Sequence, residues 1–76
     1  MPRLPQVSGK EMLRFLEKRG FFVARVKGSH HILKHPDRPE LRVAVPVHGN
    51  RPLPVGTLRS ILHQADLGVD DLRELL

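Results

Sequence analysis

Apolar residues recur with two periods along this chain of 76 residues, first a helical period and then an extended one. Near the start, Met12, Phe15 and Leu16 have helical spacing. Ser8 and Glu11 stand before and beside this group with the spacing of a capping box, in which each side chain accepts from the other's backbone N–H. The pattern therefore predicts a first helix that begins at Ser8.

Two strands are predicted after Gly20, which supplies the left-handed position that ends the helix. Residues 21–27 are aromatic and β-branched and alternate toward their end, as a half-buried strand does. Residues 30–35 form the second strand, after a turn at Gly28 and Ser29. The prolines that follow end this strand because proline lacks the N–H that a ladder needs.

A third strand is predicted over residues 41–47, where apolar residues alternate with polar or small ones. Pro46 near its end favours an edge position or a bulge. One face of this strand should meet the helices, and the other should face solvent. The expected inner residues are Leu41, Val43, Val45 and Val47, and the expected outer residues are Arg42 and Ala44.

A second helix is predicted after the loop 48–53, with Pro54 in its first turn. Gly68 interrupts the helical pattern, and the acidic residues 69–76 are expected to form a further short helical segment. The apolar stripe of the second helix consists of Val55, Leu58, Ile61, Leu62 and Ala65.

The predicted fold class is therefore α+β, with the order α-β-β-β-α and a three-stranded antiparallel sheet that carries two helices on one face. Double-stranded RNA-binding domains have this order of elements. We expect a single domain over residues 1–76, with a core at about 8–67 and an acidic C-terminal extension over 68–76.

Charge is distributed unevenly along the chain. Its formal net charge is +5, but residues 66–76 carry one basic and four acidic side chains, so the body is more basic than this sum. A basic body favours nucleic acid as partner, ahead of an acidic protein or an anionic membrane, although ordinary solubility charge is the alternative. The chain has no cysteine, no signal peptide and no long apolar run, so we expect a cytoplasmic protein without a membrane segment.

The run from Lys27 to His31 combines a cation, a turn, a hydroxyl and two imidazoles. Gly28 lets the backbone approach a ligand, Ser29 adds a hydroxyl, and an imidazole changes charge near neutral pH. In RNA, a base that deprotonates the 2′-hydroxyl starts an internal displacement at phosphorus that needs neither metal nor protein nucleophile. His30 is the candidate base or acid, and an ordinary hairpin is the alternative reading.

The group that protonates the leaving 5′-oxygen could be His31, His48 or Lys27, which the sequence does not rank. A zinc site is not expected. His30 and His31 point to opposite faces of a strand, and no carboxylate stands at ligand spacing. We therefore expect no metal and no small-molecule cofactor.

A second anion site is predicted at the start of the second helix, where unpaired backbone N–H groups attract phosphate. Gly56 would leave room for the ligand, and Thr57 lies in the same turn. The alternative is that Thr57 caps the helix and Gly56 fits the turn.

Three segments together resemble the HicA (YcfA-like) family of toxins. They are VKGSHH at 26–31, VAVPVHG at 43–49 and LPVGTLRSILHQADL at 53–67. The resemblance runs from about Ser8 to Leu67. It implies a small RNA-cleaving toxin of a toxin–antitoxin pair, with a fold similar to double-stranded RNA-binding domains, which acts on mRNA without a metal and is neutralised by a HicB-type antitoxin.

The family's catalytic histidine is the first after Gly-Ser, which the resemblance assigns to His30. His31 is then a supporting residue. Two alternatives are a non-catalytic RNA-binding module with the same fold and a protein-binding adaptor. The chain has three aromatic residues, all phenylalanine and needed at least in part for the core, so recognition of RNA by base stacking is not expected. The residues expected to bind RNA or phosphate are Lys27, Gly28, Ser29, His31, Gly56 and Thr57.

Overall fold

The computed structural model describes residues 6–75. Two helices and three strands follow the predicted order, which confirms the α+β fold, and a 3-10 helix forms the C-terminal segment. The elements are α1 (Gly9–Lys18), β1 (Phe22–Lys27), β2 (His30–Lys34), β3 (Arg42–Pro46), α2 (Val55–Gln64) and the 3-10 helix (Val69–Leu75).

The capping box at the start of α1 forms as predicted. The hydroxyl of Ser8 accepts from the backbone N–H of Glu11 at 3.2 Å, and Oε1 of Glu11 accepts from the N–H of Ser8 at 3.0 Å. At the other end, the cap residue is Arg19, and Gly20 follows with a φ of +95°. These local signals fix both ends of α1 and hence the direction in which β1 begins.

The sheet is antiparallel in the order β1-β2-β3. Gly28 and Ser29 form the turn between β1 and β2, with Lys27 paired to His30. Gly28 has a φ of +60°, and Ser29 is not at positive φ, as in type II′ turns. The backbone N–H of Val47 donates to the carbonyl of Ser29 at 2.7 Å, so the turn is attached to the end of β3.

The core lies between the helices and one face of the sheet. Both α1 and α2 contact β3, and Leu33 of β2 belongs to the same buried cluster. Val43 and Val45 are fully buried, which confirms the predicted inner face of β3. The buried apolar residues are Val7, Met12, Phe15, Leu16, Phe21, Leu33, Val43, Val45, Leu58, Ile61, Leu62, Ala65 and Leu72.

The prediction of a half-buried first strand is wrong. Every residue of β1 is exposed, including Phe22, Val23 and Val26 at 46%, 38% and 55%. The helices contact β3, which forms the other edge of the sheet, so β1 extends beyond them. Val55 is also exposed rather than part of the apolar stripe of α2.

Smaller differences concern the boundaries of elements. Pro54 is the N-cap of α2 rather than a residue of its first turn, and it gives no side-chain hydrogen bond. The second strand ends at Lys34, one residue earlier than predicted. Among residues 6–75, neither helix is long and apolar enough to cross a membrane.

Candidate active site

The face of the sheet that points away from the helices carries His30 and several cations. Residues paired directly across an antiparallel ladder project from the same face. His30 pairs with Lys27, and Ile32 pairs with Arg25 on one side and with Ala44 on the other. Leu33 is fully buried, so the residues on either side of it in β2 face away from the core. We refer to this side as the open face.

A groove of about 490 Å³ lies on the open face. It holds three cations and one imidazole, and no carboxylate lines it. Ile32 and Ala44, which are half-buried, add aliphatic side chains to its lining. The lining residues are Arg25, Lys27, Gly28, His30, Ile32, Arg42 and Ala44.

Arg25 reaches the groove because β1 contains a bulge. Val23 pairs with Leu33 and Arg25 pairs with Ile32, which leaves Ala24 between them without a partner. The extra residue changes the face from which the following side chains project. Sequence reasoning missed Arg25, since nothing in its own segment marks the bulge; Arg42, by contrast, was expected on the outer face of β3, although not in a site.

The groove cations have no carboxylate partner among the described residues. Arg25, Lys27 and Arg42 form no ion pair there, whereas Arg38 bonds Glu40 at 2.7 Å and Asp66 at 3.2 Å. The hydrogen bond from Arg38 lowers the pKa of the Glu40 carboxyl, and the same contacts raise the pKa of Arg38. Positive charge at the groove is therefore left uncompensated by the protein, an arrangement suited to an anionic ligand.

Lys27 and His30 are brought together by the two-residue turn. Gly28 lines the groove beside them, and a Cβ added to Gly28 would have no other atom within 4 Å. The left-handed backbone, rather than crowding, is thus what requires glycine here. Ser29 is half-buried, does not line the groove, and uses its carbonyl to bond Val47.

His31 lies on the other face of β2. It pairs with Val26 and Val45, on the side of the sheet that carries the core, and it is half-buried. Its Nδ1 is buried and has no hydrogen-bond partner within the described part of the chain. The structure therefore does not bring His31 together with His30 in the groove.

A second, smaller depression of about 290 Å³ contains Thr57. The side chain of Thr57 gives no cap to α2, so the capping alternative is wrong. Pro46, the register partner of His30, lines this depression but not the groove. Gly56 is exposed and does not line either depression. The lining residues are Pro46, His48, Arg51, Pro52, Leu53, Pro54 and Thr57.

The remaining histidines are placed apart from both depressions. His35 bonds the carbonyl of Arg19 through Nε2 at 3.0 Å, and His63 is exposed on α2. Within residues 6–75, no group of three or more histidine, aspartate or glutamate side chains is arranged to hold a metal ion.

Comparison with known proteins gives one family. The family model described as HicA toxin of bacterial toxin–antitoxin matches residues 9–67, which include every residue of both depressions. A search of curated proteins found no match.

Proposed function

Since the chain belongs to the HicA toxin family of bacterial toxin–antitoxin systems, we propose that it acts by cutting mRNA as an endoribonuclease. The observation that carries this proposal is the pairing of Lys27 with His30 on the open face. The pairing sets an imidazole, which can accept or donate a proton, beside the ammonium group of Lys27. Arg25 and Arg42 enclose the same groove, so a phosphate would meet positive charge on more than one side.

In the proposed reaction, His30 transfers a proton at the ribose. As base, it takes the proton of the 2′-hydroxyl, and the 2′-oxygen attacks the adjacent phosphorus. The bond to the 5′-oxygen breaks, which leaves a 2′,3′-cyclic phosphate on one fragment and a 5′-hydroxyl on the other. The groove cations stabilise the additional charge on the five-coordinate phosphorus. No metal is needed for this displacement.

We propose that Lys27 is the acid that donates a proton to the leaving 5′-oxygen. Of the three groups suggested by the sequence, Lys27 shares the groove with His30, whereas His31 lies on the opposite face and His48 lines the second depression. His31 would then act by supporting the strand that holds His30.

The other predicted residues have separate proposed roles. Gly28 lets the RNA backbone approach the turn, and Ser29 holds the turn against β3 through its carbonyl. Gly56 and Thr57 would contact a neighbouring phosphate, with the second depression as its position. The proposed protein partner is a HicB-type antitoxin, which would neutralise the toxin.

Incubation of the purified protein with single-stranded RNA in EDTA tests the reaction. Fragments with 2′,3′-cyclic phosphate ends are expected, and His30→Ala should abolish them while circular dichroism shows an unchanged fold. His63→Ala is the matched control because His63 is exposed and remote from the groove. Equal cleavage by His30→Ala and the unmodified protein would exclude His30 as the catalytic residue.

A non-catalytic RNA-binding module is the second candidate. The unpaired groove cations favour it equally, since they would bind phosphates whether or not a bond is cut. Salt-dependent retention of RNA without fragments after long incubation would support binding alone. Fragments that disappear with His30→Ala, with RNA still retained, would support cleavage.

A further inference from the structure

The two edges of the sheet differ in how their backbone groups are satisfied. At the β3 edge, the N–H of Ala44 donates to Oε1 of Gln64 from α2 at 2.9 Å, and Pro46 has no N–H to offer. At the β1 edge, no hydrogen bond other than those of the ladder with β2 involves residues 22–27, among the described residues. The β1 edge is therefore open to a further strand.

The β1 edge also exposes apolar side chains. Phe22, Val23 and Val26 are among the most exposed large hydrophobic side chains of the described residues. Val23 and Val26 pair with Leu33 and His31 and so project on the core side, beyond the reach of the helices. Exposed apolar side chains on an unpaired edge mark a surface that another chain covers.

We propose that β1 binds an extended segment of a partner protein in which acidic residues alternate with apolar ones. Such a segment would add a fourth strand to the sheet through backbone hydrogen bonds. Its acidic side chains would lie beside Arg25 and Lys27 on the open face, and its apolar side chains would cover Val26 on the other.

Charge selects this occupant over the other strands available. A second copy of β1 would bring Arg25 and Lys27 close to the same cations, and like charges on adjacent strands repel. The chain's own acidic tail is already in use, because Leu72 is fully buried and Asp71 accepts from the N–H of Gly68 at 2.7 Å.

Binding at this edge would also control the groove. Arg25 and Lys27 belong both to β1 and to the lining of the groove, so carboxylates that pair with them compete with RNA phosphates. The proposed strand is thus an inhibitor as well as a partner. This consequence for activity rests on the proposed function, whereas binding to the edge does not.

The probe for the test is a short synthetic peptide that alternates glutamate and valine, and the matched peptide carries lysine for glutamate. Nuclear magnetic resonance of the full chain should show that the acidic peptide shifts the amides of residues 22–27 and that the basic peptide does not. Arg25→Glu should weaken binding of the acidic peptide about tenfold, since attraction becomes repulsion. Arg59→Glu makes the same change of charge on the exposed side of α2 and should leave binding unchanged.

Several outcomes would overturn the proposal. These are shifts confined to β3 or α2, equal binding of the two peptides, or self-association through β1 in sedimentation experiments without peptide. Cleavage is then measured separately, with each rate compared with the rate of the same variant without peptide. Binding at residues 22–27 by a protein that never cuts RNA would uphold the docking edge and reject only the proposed function.

Discussion

The imidazole of His35 is bonded to the carbonyl of Arg19 at the carboxyl end of α1, with 3.0 Å between Nε2 and the oxygen. The backbone N–H of Asp37 donates to Nδ1 of the same ring at 3.1 Å. Because an amide can only donate and a carbonyl can only accept, the proton of the neutral ring must be on Nε2. The ring also meets Phe21 edge-on, with centroids 5.0 Å apart. His35 therefore joins the end of α1 to the segment after β2.

Removal of this imidazole is expected to destabilise the fold. His35→Ala leaves the Asp37 amide and the Arg19 carbonyl without this partner and removes the contact with Phe21, so the free energy of unfolding should fall by about 1–3 kcal/mol. Urea denaturation measures the change. His63→Ala, at an exposed position, should stay within about 0.5 kcal/mol of the unmodified protein, and a similar loss in both variants would contradict a structural role for His35.

Comparison of Gly28→Ala with Gly49→Ala distinguishes the effect of glycine on the stability of the turn from its effect on RNA cleavage at the groove. Gly49 is a matched position, because the two glycines have φ of +60° and +59° and an added Cβ meets nothing within 4 Å at either. Alanine at such angles costs about 1–2 kcal/mol, so both variants should lose similar stability. Gly28→Ala alone should also reduce RNA cleavage, measured at a temperature where both are folded. Equal cleavage by the two would show that the turn does not contact RNA closely.

Arg42→Gln tests the electrostatic part of the groove. This residue comes from β3, whereas Lys27 and His30 come from β1 and β2, so the substitution leaves the turn unchanged. RNA affinity should fall, and the slope of log affinity against log salt should decrease by about 1 if Arg42 contacts a phosphate. Binding of RNA to the His30→Ala protein, with and without Arg42→Gln, gives these slopes. An unchanged slope would place the phosphate away from β3.

The pair formed by Arg38 and Glu40 predicts a small pH dependence of stability. The hydrogen bond from Arg38 lowers the pKa of Glu40 in the folded protein, so the pair stabilises the fold above the unfolded pKa and ceases to do so as pH falls through the folded one. Glu40→Gln should therefore be less stable than the unmodified protein at neutral pH, with the difference disappearing in acid. Thermal unfolding in low salt measures it, and a constant difference down to about pH 2 would reject the mechanism.

Much of the fold follows from short-range signals. The capping box of Ser8 and Glu11, the glycine turn and the alternation of Val43 and Val45 each depend on residues close together in sequence, and each is confirmed. The shared face of Lys27 and His30 also follows from a two-residue turn, because the turn fixes their register.

The rest depends on contacts between distant segments. The exposure of β1 results from where the helices pack on the sheet. The sequence of apolar and polar residues in β1 would be the same whether or not helices covered the strand. The position of Arg25 depends on a bulge that its neighbours in sequence do not mark. Pro46 at the end of β3 and Thr57 of α2 line the same depression because these two elements lie side by side in the fold.

Ala24 has no partner in the ladder, and the alternation of side chains between the two faces of β1 shifts by one residue at this point. Before it, odd-numbered positions point toward the core; after it, even-numbered ones do, with Val26 on the core side and Lys27 on the other. Had Ala24 instead taken the place opposite Ile32 in a regular ladder, each later residue of β1 would have shifted by one position along β2. Arg25 and Lys27 would then project from the core side, and Val26 would face the groove. The position of both cations on the open face therefore depends on one alanine that stays outside the ladder.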